Sequence, residues 1–318
     1  MDNLPKPPPF VDQLRRSALL VAQKPPELAT ASPEQLIALL HDSNLREAVL
    51  SQLNVVIKQK REMCSNLALL LWNSFNTVYI LLQEVLAVYP KLSTSTLTMK
   101  ESTRVCDALT LLQCMASHPE TRKGLVKANI PFYLYPFLRA SANEKPLEFV
   151  RLSSLGLIGS LAKFDDPYGP EILNFFLETQ LFPLCLRCMD QGDELSRKVA
   201  TLIVMKILMQ EEGLDYCCAF TERFLAVVQA LSRLVEKLSV NPCFQLLKYV
   251  VQCYLCLSQV SRVCDVLRYN FPPQLIDNTF HIILRVSRQL LSSTLEDPDT
   301  LNMLHQIFFN ITSRGSRP

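Results

Sequence analysis

The sequence predicts an all-α fold, an armadillo/HEAT-like right-handed helical repeat solenoid, and three observations predict it. Between Arg104 and Leu138 apolar residues recur at helical spacing, first Val105, Leu109, Leu112 and Met115, then Leu125, Ile130, Leu134 and Leu138. His118-Pro119 and Ile130-Pro131 interrupt that pattern. Proline lacks a donor and steers the residue before it away from the helical region, so each marks a boundary between one long helix and shorter ones. Starts of long helices then return at intervals of roughly 40–50 residues, the armadillo/HEAT period. Finally, the 318 residues include 20 prolines and only 7 glycines, which suits helices parted by prolines better than sheets turned by tight hairpins.

Residues 1–31, with PKPPP and KPPEL, read as a flexible Pro-rich leader carrying one amphipathic turn around Val11 to Val21. Order begins at Ser32-Pro33-Glu34-Gln35: Ser as N-cap, Pro at the first helical position, Gln three residues after the cap. A second helix runs from about Leu45 to Arg61, its basic end (Lys58, Lys60, Arg61) suited to the negative C-terminal dipole. A long apolar helix follows from about Asn66 to Tyr89 and stops at Pro90, and Lys91 to Thr98 is a polar loop. Three later blocks echo the one at Arg104. RLSSLGLIGSLAKF starts at Arg151, with short helices after it to Met189. LSRKVATLIVMKILM starts at Leu195, with DYCCAF and ERFLAVVQALSRLVEKL after it. FQLLKYVVQCYLCLS starts at Phe244 and precedes SRVCDVLRYNFP. Gly156 and Gly159 fall mid-helix, where small residues permit close helix packing or leave a surface pocket rather than form a phosphate loop. The repeat domain spans residues 32–311 and the tail 312–318 frays.

Half the chain is apolar and its formal charge is only +2, so a substantial core is available and no polyanion-binding bias shows. No apolar run approaches the roughly 18 residues of a membrane span, and MDNLPKPPPF lacks the apolar core of a signal peptide, so a soluble intracellular protein is expected. Among eleven cysteines, Cys185/Cys188 and Cys253/Cys256 have CxxC spacing, a zinc or redox signal in other settings. Both pairs lie in apolar periodic segments without a turn residue or nearby His, so core-filling thiols are the simplest reading, with metal and redox roles as alternatives. Cys217-Cys218 and the odd total fit a reducing compartment. The four histidines (His41, His118, His281, His305) show no metal-ligand spacing, and His118 before Pro119 reads as a helix cap. No hydrolase, Walker, zincin or dinucleotide motif occurs, and the acidic pairs Asp165-Asp166 and Glu211-Glu212 read as solvated turn residues. The expectation is no enzyme, no metal and no cofactor, but a binding surface, because stacked repeats make long grooves. Phe132, Tyr133, Tyr135 and Phe308-Phe309 read mostly as core, some as candidates to line a groove for a partner's apolar anchor.

The words LWNSF (71–75), LLQE (81–84), RVC-AL-LLQC-ASHPETR (104–122), IP-YLYPFL (130–138), RL-SLG-IG-L-K (151–163), PLCLR (183–187) and ELS--VAT (194–201) closely resemble the RCD-one (required for cell differentiation) family. Its members are the armadillo-repeat subunits of the CCR-NOT messenger-RNA deadenylase complex, and the LWNSF spelling is similar to plant members. The likeness runs from about Arg61 to Phe280. The Asp166-Pro167-Tyr168-Gly169-Pro170 insertion and the altered helix before Arg61 mark a divergent member.

The resemblance implies a non-catalytic adaptor, cytoplasmic and nuclear, acting in mRNA decay, silencing and translational repression. Its partners are the large scaffold subunit, short linear motifs of mRNA-targeting proteins and, since family members self-associate, a second copy. Scaffold docking corresponds to Asn73, Phe75, Tyr79 and Leu86. The family has a small Ala at Tyr79 and Gly at Asn76; larger residues overfill a packed interface at about 1–3 kcal/mol, so docking here requires a partner changed to fit. The peptide groove corresponds to Phe149, Gly156 and Val199, with Phe149 replacing a Tyr. Tryptophan pockets map to Thr221, Arg223, Arg262 and Val266; the two arginines are retained and suited to stack on an indole, while Thr221 replaces an aromatic and Val266 an Ala. A basic groove linked to nucleic acid keeps Lys248 but has Gln245, Gln252 and Cys256 for arginines, so nucleic-acid binding is expected to be weak or absent. The alternative is a divergent armadillo peptide adaptor outside the complex, for example in transcription.

Overall fold

Helices make up the regular structure in this computed structural model, which describes residues 26–59, 64–141, 144–276 and 298–313; no strand occurs among them. The turn expected around Val11 to Val21 and the basic Lys60 and Arg61 lie outside the described residues. The chain divides into two compact units with the boundary between Tyr168 and Gly169, inside the Asp166–Pro170 insertion.

The first unit opens on a short helix, α1 (Pro26–Thr30), so helical structure starts before Ser32, within the stretch read as leader. At α2 (Pro33–Leu39) the expected capping box is present: Ser32 Oγ accepts from the Gln35 amide at 3.3 Å, and Gln35 Oε1 from the Ser32 amide at 2.9 Å. After α3 (Arg46–Gln59), the single helix expected from Asn66 to Tyr89 is two, α4 (Cys64–Asn73) and α5 (Thr77–Leu86). Asn76 stands between them at φ 57°, in the left-handed region. One such residue ends a right-handed helix, and Asn is among the few non-glycines that adopt it readily. Apolar periodicity runs across the break, which is why it does not show in the pattern. Pro90, read as a stop, instead sits in the first turn of α6 (Tyr89–Leu92), where a missing amide costs nothing.

Thr98 caps α7 (Met99–Met115) through a second capping box with Glu101. α8 (Pro119–Lys127), a 3-10 turn (Ile130–Leu134), α9 (Tyr135–Arg139) and α10 (Lys145–Leu161) complete the unit. α10 starts at Lys145, one turn and more before Arg151. α7 is the axis: α3, α4, α5 and α10 all pack on it. The register read from Arg104 to Leu138 holds, since Val105, Leu109, Leu112, Met115, Leu125, Ile130, Leu134 and Leu138 are all buried, each leucine contributing about 1.5–3 kcal/mol. His118 occupies the N-cap of α8 without a side-chain cap bond; Thr121 Oγ1 instead donates to the Met115 and His118 carbonyls. Asp166 is not a solvated turn residue: it pairs with the buried Arg122 guanidinium, while Asp165 is exposed.

The second unit holds α11 (Gly169–Glu178), α12 (Leu181–Gln191), α13 (Glu194–Leu208), α14 (Glu211–Cys218), α15 (Thr221–Val240) and α16 (Phe244–Ser258). After a 3-10 turn come α17 (Cys264–Tyr269) and α18 (Pro298–Ser313). α13 packs on α12 and α16, and α16 on α18. Buried polar links tie the layers: the Tyr254 and Ser232 hydroxyls lie 3.2 Å apart, and Asn310 Nδ2 donates to Ser258 Oγ at 2.9 Å. Glu211 and Glu212 sit in the first turn of α14 rather than a loop, a favourable place for acidic groups. Cys185, Cys188, Cys253 and Cys256 are buried on α12 and α16, and burial pushes the Cys185 and Cys253 thiols well up. Phe308 packs edge-on to Phe271 at 5.6 Å, whereas Phe309 is exposed.

Candidate protein-interaction surfaces

The four positions matched to scaffold docking form one exposed stretch of the first unit. Asn73 ends α4, Phe75 stands in the turn held by the left-handed Asn76, and Tyr79 and Leu86 lie seven residues apart on one stripe of α5, with Gln83 between them. Phe75 is 79% exposed, Tyr79 61% and Leu86 37%. The opposite stripe, Thr77, Ile80, Leu81, Glu84 and Val85, is buried. Glu84 anchors that stripe: Arg46 NH1 donates to its Oε1 at 3.1 Å and Arg104 NH2 at 2.9 Å, while Arg46 Nε donates to the Leu40 carbonyl. A buried carboxylate is tolerable only when paired in this way, and the pairing fixes α5 against α3 and α7. Glu84 is the only charged residue from Asn73 to Pro90, so the outward face carries no charge at all. Glycine is the natural residue for the left-handed Asn76 and asparagine the next, so this departure from the family preserves the turn.

Phe149 and Gly156 lie two turns apart on α10, both half-buried. A Cβ on Gly156 would stand 2.8 Å from Gln113 Nε2, the amide that crosses from α7 to donate to the Ser153 carbonyl at 2.9 Å. Close helix packing, the first of the two expectations for these glycines, thus applies at Gly156. Val199, the third groove position, is half-buried on α13 of the second unit.

At the tryptophan-pocket positions, Thr221 is exposed at the first residue of α15 and Val266 is half-buried on α17. Arg223 already carries two rings of its own chain: its guanidinium carbon lies 3.9 Å from the Tyr216 centroid and 4.7 Å from that of Phe220. Its NH1 donates to the Tyr216 carbonyl at 3.1 Å. Phe220, 60% exposed, thus stands beside a cation whose capacity to stack is already partly used. Phe220 was not singled out from the sequence; its signal is the aromatic one position before Thr221. Arg262 faces Asp215 at 3.6 Å, both largely exposed. Gln245 Nε2 donates to the Tyr249 hydroxyl at 2.7 Å and Gln252 contacts Cys256 Sγ at 3.7 Å, so these amides on α16 are engaged within their own helix.

Among the described residues no group of three or more His, Cys, Asp or Glu could hold a metal ion, and no single helix is long and apolar enough to cross a membrane. Two crystal structures of engineered proteins share the fold, each at TM-score 0.56. One is 16% identical, spanning 90% of this chain and 98% of its own; the other is 13% identical, spanning 89% and 100%. Sequence relatives lie much nearer. The cell differentiation protein rcd1 of Schizosaccharomyces pombe is 43% identical over 279 residues, 88% of this chain and 92% of its own. Protein CAF40 of Saccharomyces cerevisiae is 45% identical over 228 residues, 71% of this chain and 60% of its own. Residues 36–311 match the cell differentiation family, Rcd1-like. With a family match across nearly all of both units, an all-α fold and two such relatives, the chain belongs to the Rcd1-like cell differentiation family.

Proposed function

We propose that this chain is a non-catalytic adaptor subunit of the CCR-NOT deadenylase complex, docking on the large scaffold subunit and accepting short motifs of mRNA-targeting proteins. It would act in mRNA decay and translational repression, in cytoplasm and nucleus. The observation that carries the reading is the charge-free face from Asn73 to Pro90, with Phe75 and Tyr79 held largely in water. A monomeric surface seldom keeps such a patch without a partner, and covering Phe75 alone contributes about 2 kcal/mol. The relatives, cell differentiation protein rcd1 and protein CAF40, support the family membership on which this reading rests.

A second reading, a peptide adaptor outside the complex, draws on Tyr79, whose ring protrudes where the family has a small side chain. Co-purification with the same organism's large scaffold subunit separates the two. Wild-type capture, lost in Phe75→Ala, supports the first reading. Capture by Tyr79→Ala but not by wild type favours the second, and moves the search to ligands of the surfaces around Phe149 and Gly156, and around Val199.

A further inference from the structure

We infer that the docking face of α5 continues onto the 3-10 turn at Phe132 and Tyr133, and that one uncharged, apolar side of a scaffold-subunit helix covers both. This rests on the docking reading above and names further residues for the same partner. From Ile130 to Leu138 nearly every apolar side chain is buried, yet Phe132 is 44% and Tyr133 37% exposed. These two rings stand out from a well-packed segment, unlike the core aromatics the sequence pattern suggests.

Placement joins them to α5. The 3-10 turn packs against α5, and the Tyr89 hydroxyl, just beyond Leu86, donates to the Tyr133 carbonyl. Tyr89 also sets its ring edge-on to Phe137 at 5.6 Å. The turn is thus tied to the segment that leaves the exposed end of the α5 stripe. The turn and its first ring are pre-positioned: Asn129, at φ 57°, fixes the entry to the turn, and Phe132 meets the buried Tyr135 edge-on at 5.2 Å. Rigid, half-exposed aromatics are the residues that bind most strongly when covered, because little rotamer freedom remains to be lost.

Charge selects the occupant. No residue from Ala128 to Leu138 is charged, and the face from Asn73 to Pro90 exposes no charge. Such a surface has nothing to offer a phosphate backbone or an acidic motif, and it suits the apolar stripe of an amphipathic helix. From Tyr79 to Leu86 the stripe runs about 10 Å at 1.5 Å per residue, with Phe75 in the turn before it. A partner helix of about 20 residues, about 30 Å long, extends past Leu86 and over the turn.

The test measures the affinity of the full chain for the large scaffold subunit of its own organism, comparing wild type with Phe132→Ala, Tyr133→Ala and Phe75→Ala. Each variant should bind about tenfold or more weakly, with a melting midpoint near that of wild type. Tyr133→Ala guards against misfolding, because Tyr89 bonds the backbone carbonyl, which that substitution keeps. If Phe75→Ala weakens binding while the two turn variants stay within about twofold of wild type, the extension is wrong and the docking reading stands. If wild type does not bind, or all three variants match it, both fall.

Discussion

Gly124 lies inside α8, beneath the Trp72 indole of α4. A Cβ at that position would stand 2.3 Å from Trp72 Cζ2 and 2.5 Å from Cη2, where carbons in contact keep about 3.5–4.0 Å. In Gly124→Ala the ring must therefore withdraw by about 1 Å or more. Two terms oppose each other. Alanine in a helix interior gains about 1 kcal/mol over glycine, whereas overfilling a packed site costs about 1–3 kcal/mol. The near atoms belong to a rigid fused ring rather than a flexible chain end, so the overfilling cost lies at the upper end of its range and outweighs the helix gain, with a net loss of up to about 2 kcal/mol. At about 2–4 °C per kcal/mol in a domain of this order, the melting midpoint falls by up to about 8 °C. Trp72 is the single tryptophan of the chain, so its emission and near-UV dichroism report this one contact. Trp72 also precedes Asn73 and Phe75, so on the docking reading proposed above the same variant should weaken scaffold binding. In a Trp72→Leu background the clash disappears, and Gly124→Ala should be neutral or stabilising by up to about 1 kcal/mol. An unchanged or raised midpoint with unaltered emission in the single variant would refute this reasoning.

Other perturbations address the elements that hold the candidate face. Asn76→Gly should leave the melting midpoint nearly unchanged, while Asn76→Val should cost about 1–2 kcal/mol, because a β-branched residue resists the left-handed conformation; equal stabilities would contradict the turn geometry. Glu84→Ala strands Arg46 and Arg104 and should cost about 3 kcal/mol by urea unfolding, with Glu84→Asp in between. Lys91, then Thr98, holds the Glu101 carboxyl down from its ordinary 4.5 to about 2. Since that value is depressed, the stabilisation is complete above pH 4.5 and fades as pH falls toward 2. Acid unfolding of Glu101→Gln should lack this component, and Thr98→Ala should cost about 1 kcal/mol at neutral pH. Burial, then the Tyr133 charge, pushes the Tyr89 hydroxyl up to about 12, so its contribution is complete below pH 10 and lost between 10 and 12; Tyr89→Phe should flatten that alkaline limb. Single-stranded nucleic acid should bind weakly or not at all by fluorescence anisotropy at low salt, and tight binding would overturn the reading of Gln245, Gln252 and Cys256.

Much of the molecule was legible in its letters. Periodicity and prolines placed the helices, the Ser32–Gln35 box opened α2, and the buried stripe from Val105 to Leu138 was read in register, because each depends on residues within a turn or two of one another. The box at Thr98–Glu101 carried the same signature and went unread. Other features were decided only by tertiary contacts. The break at Asn76 depends on the sign of one φ angle, which an apolar pattern running through it does not record. Asp166 is an ion-pair partner because Arg122 is brought to it from another helix, while the stacking of Arg223 on Phe220 and Tyr216 is local and depends on how the turn between α14 and α15 folds these near neighbours together. Phe75, Tyr79, Phe132 and Tyr133 have the composition of core residues. Whether an aromatic faces core or water depends on what the rest of the chain packs against it, and that is settled by partners remote in sequence.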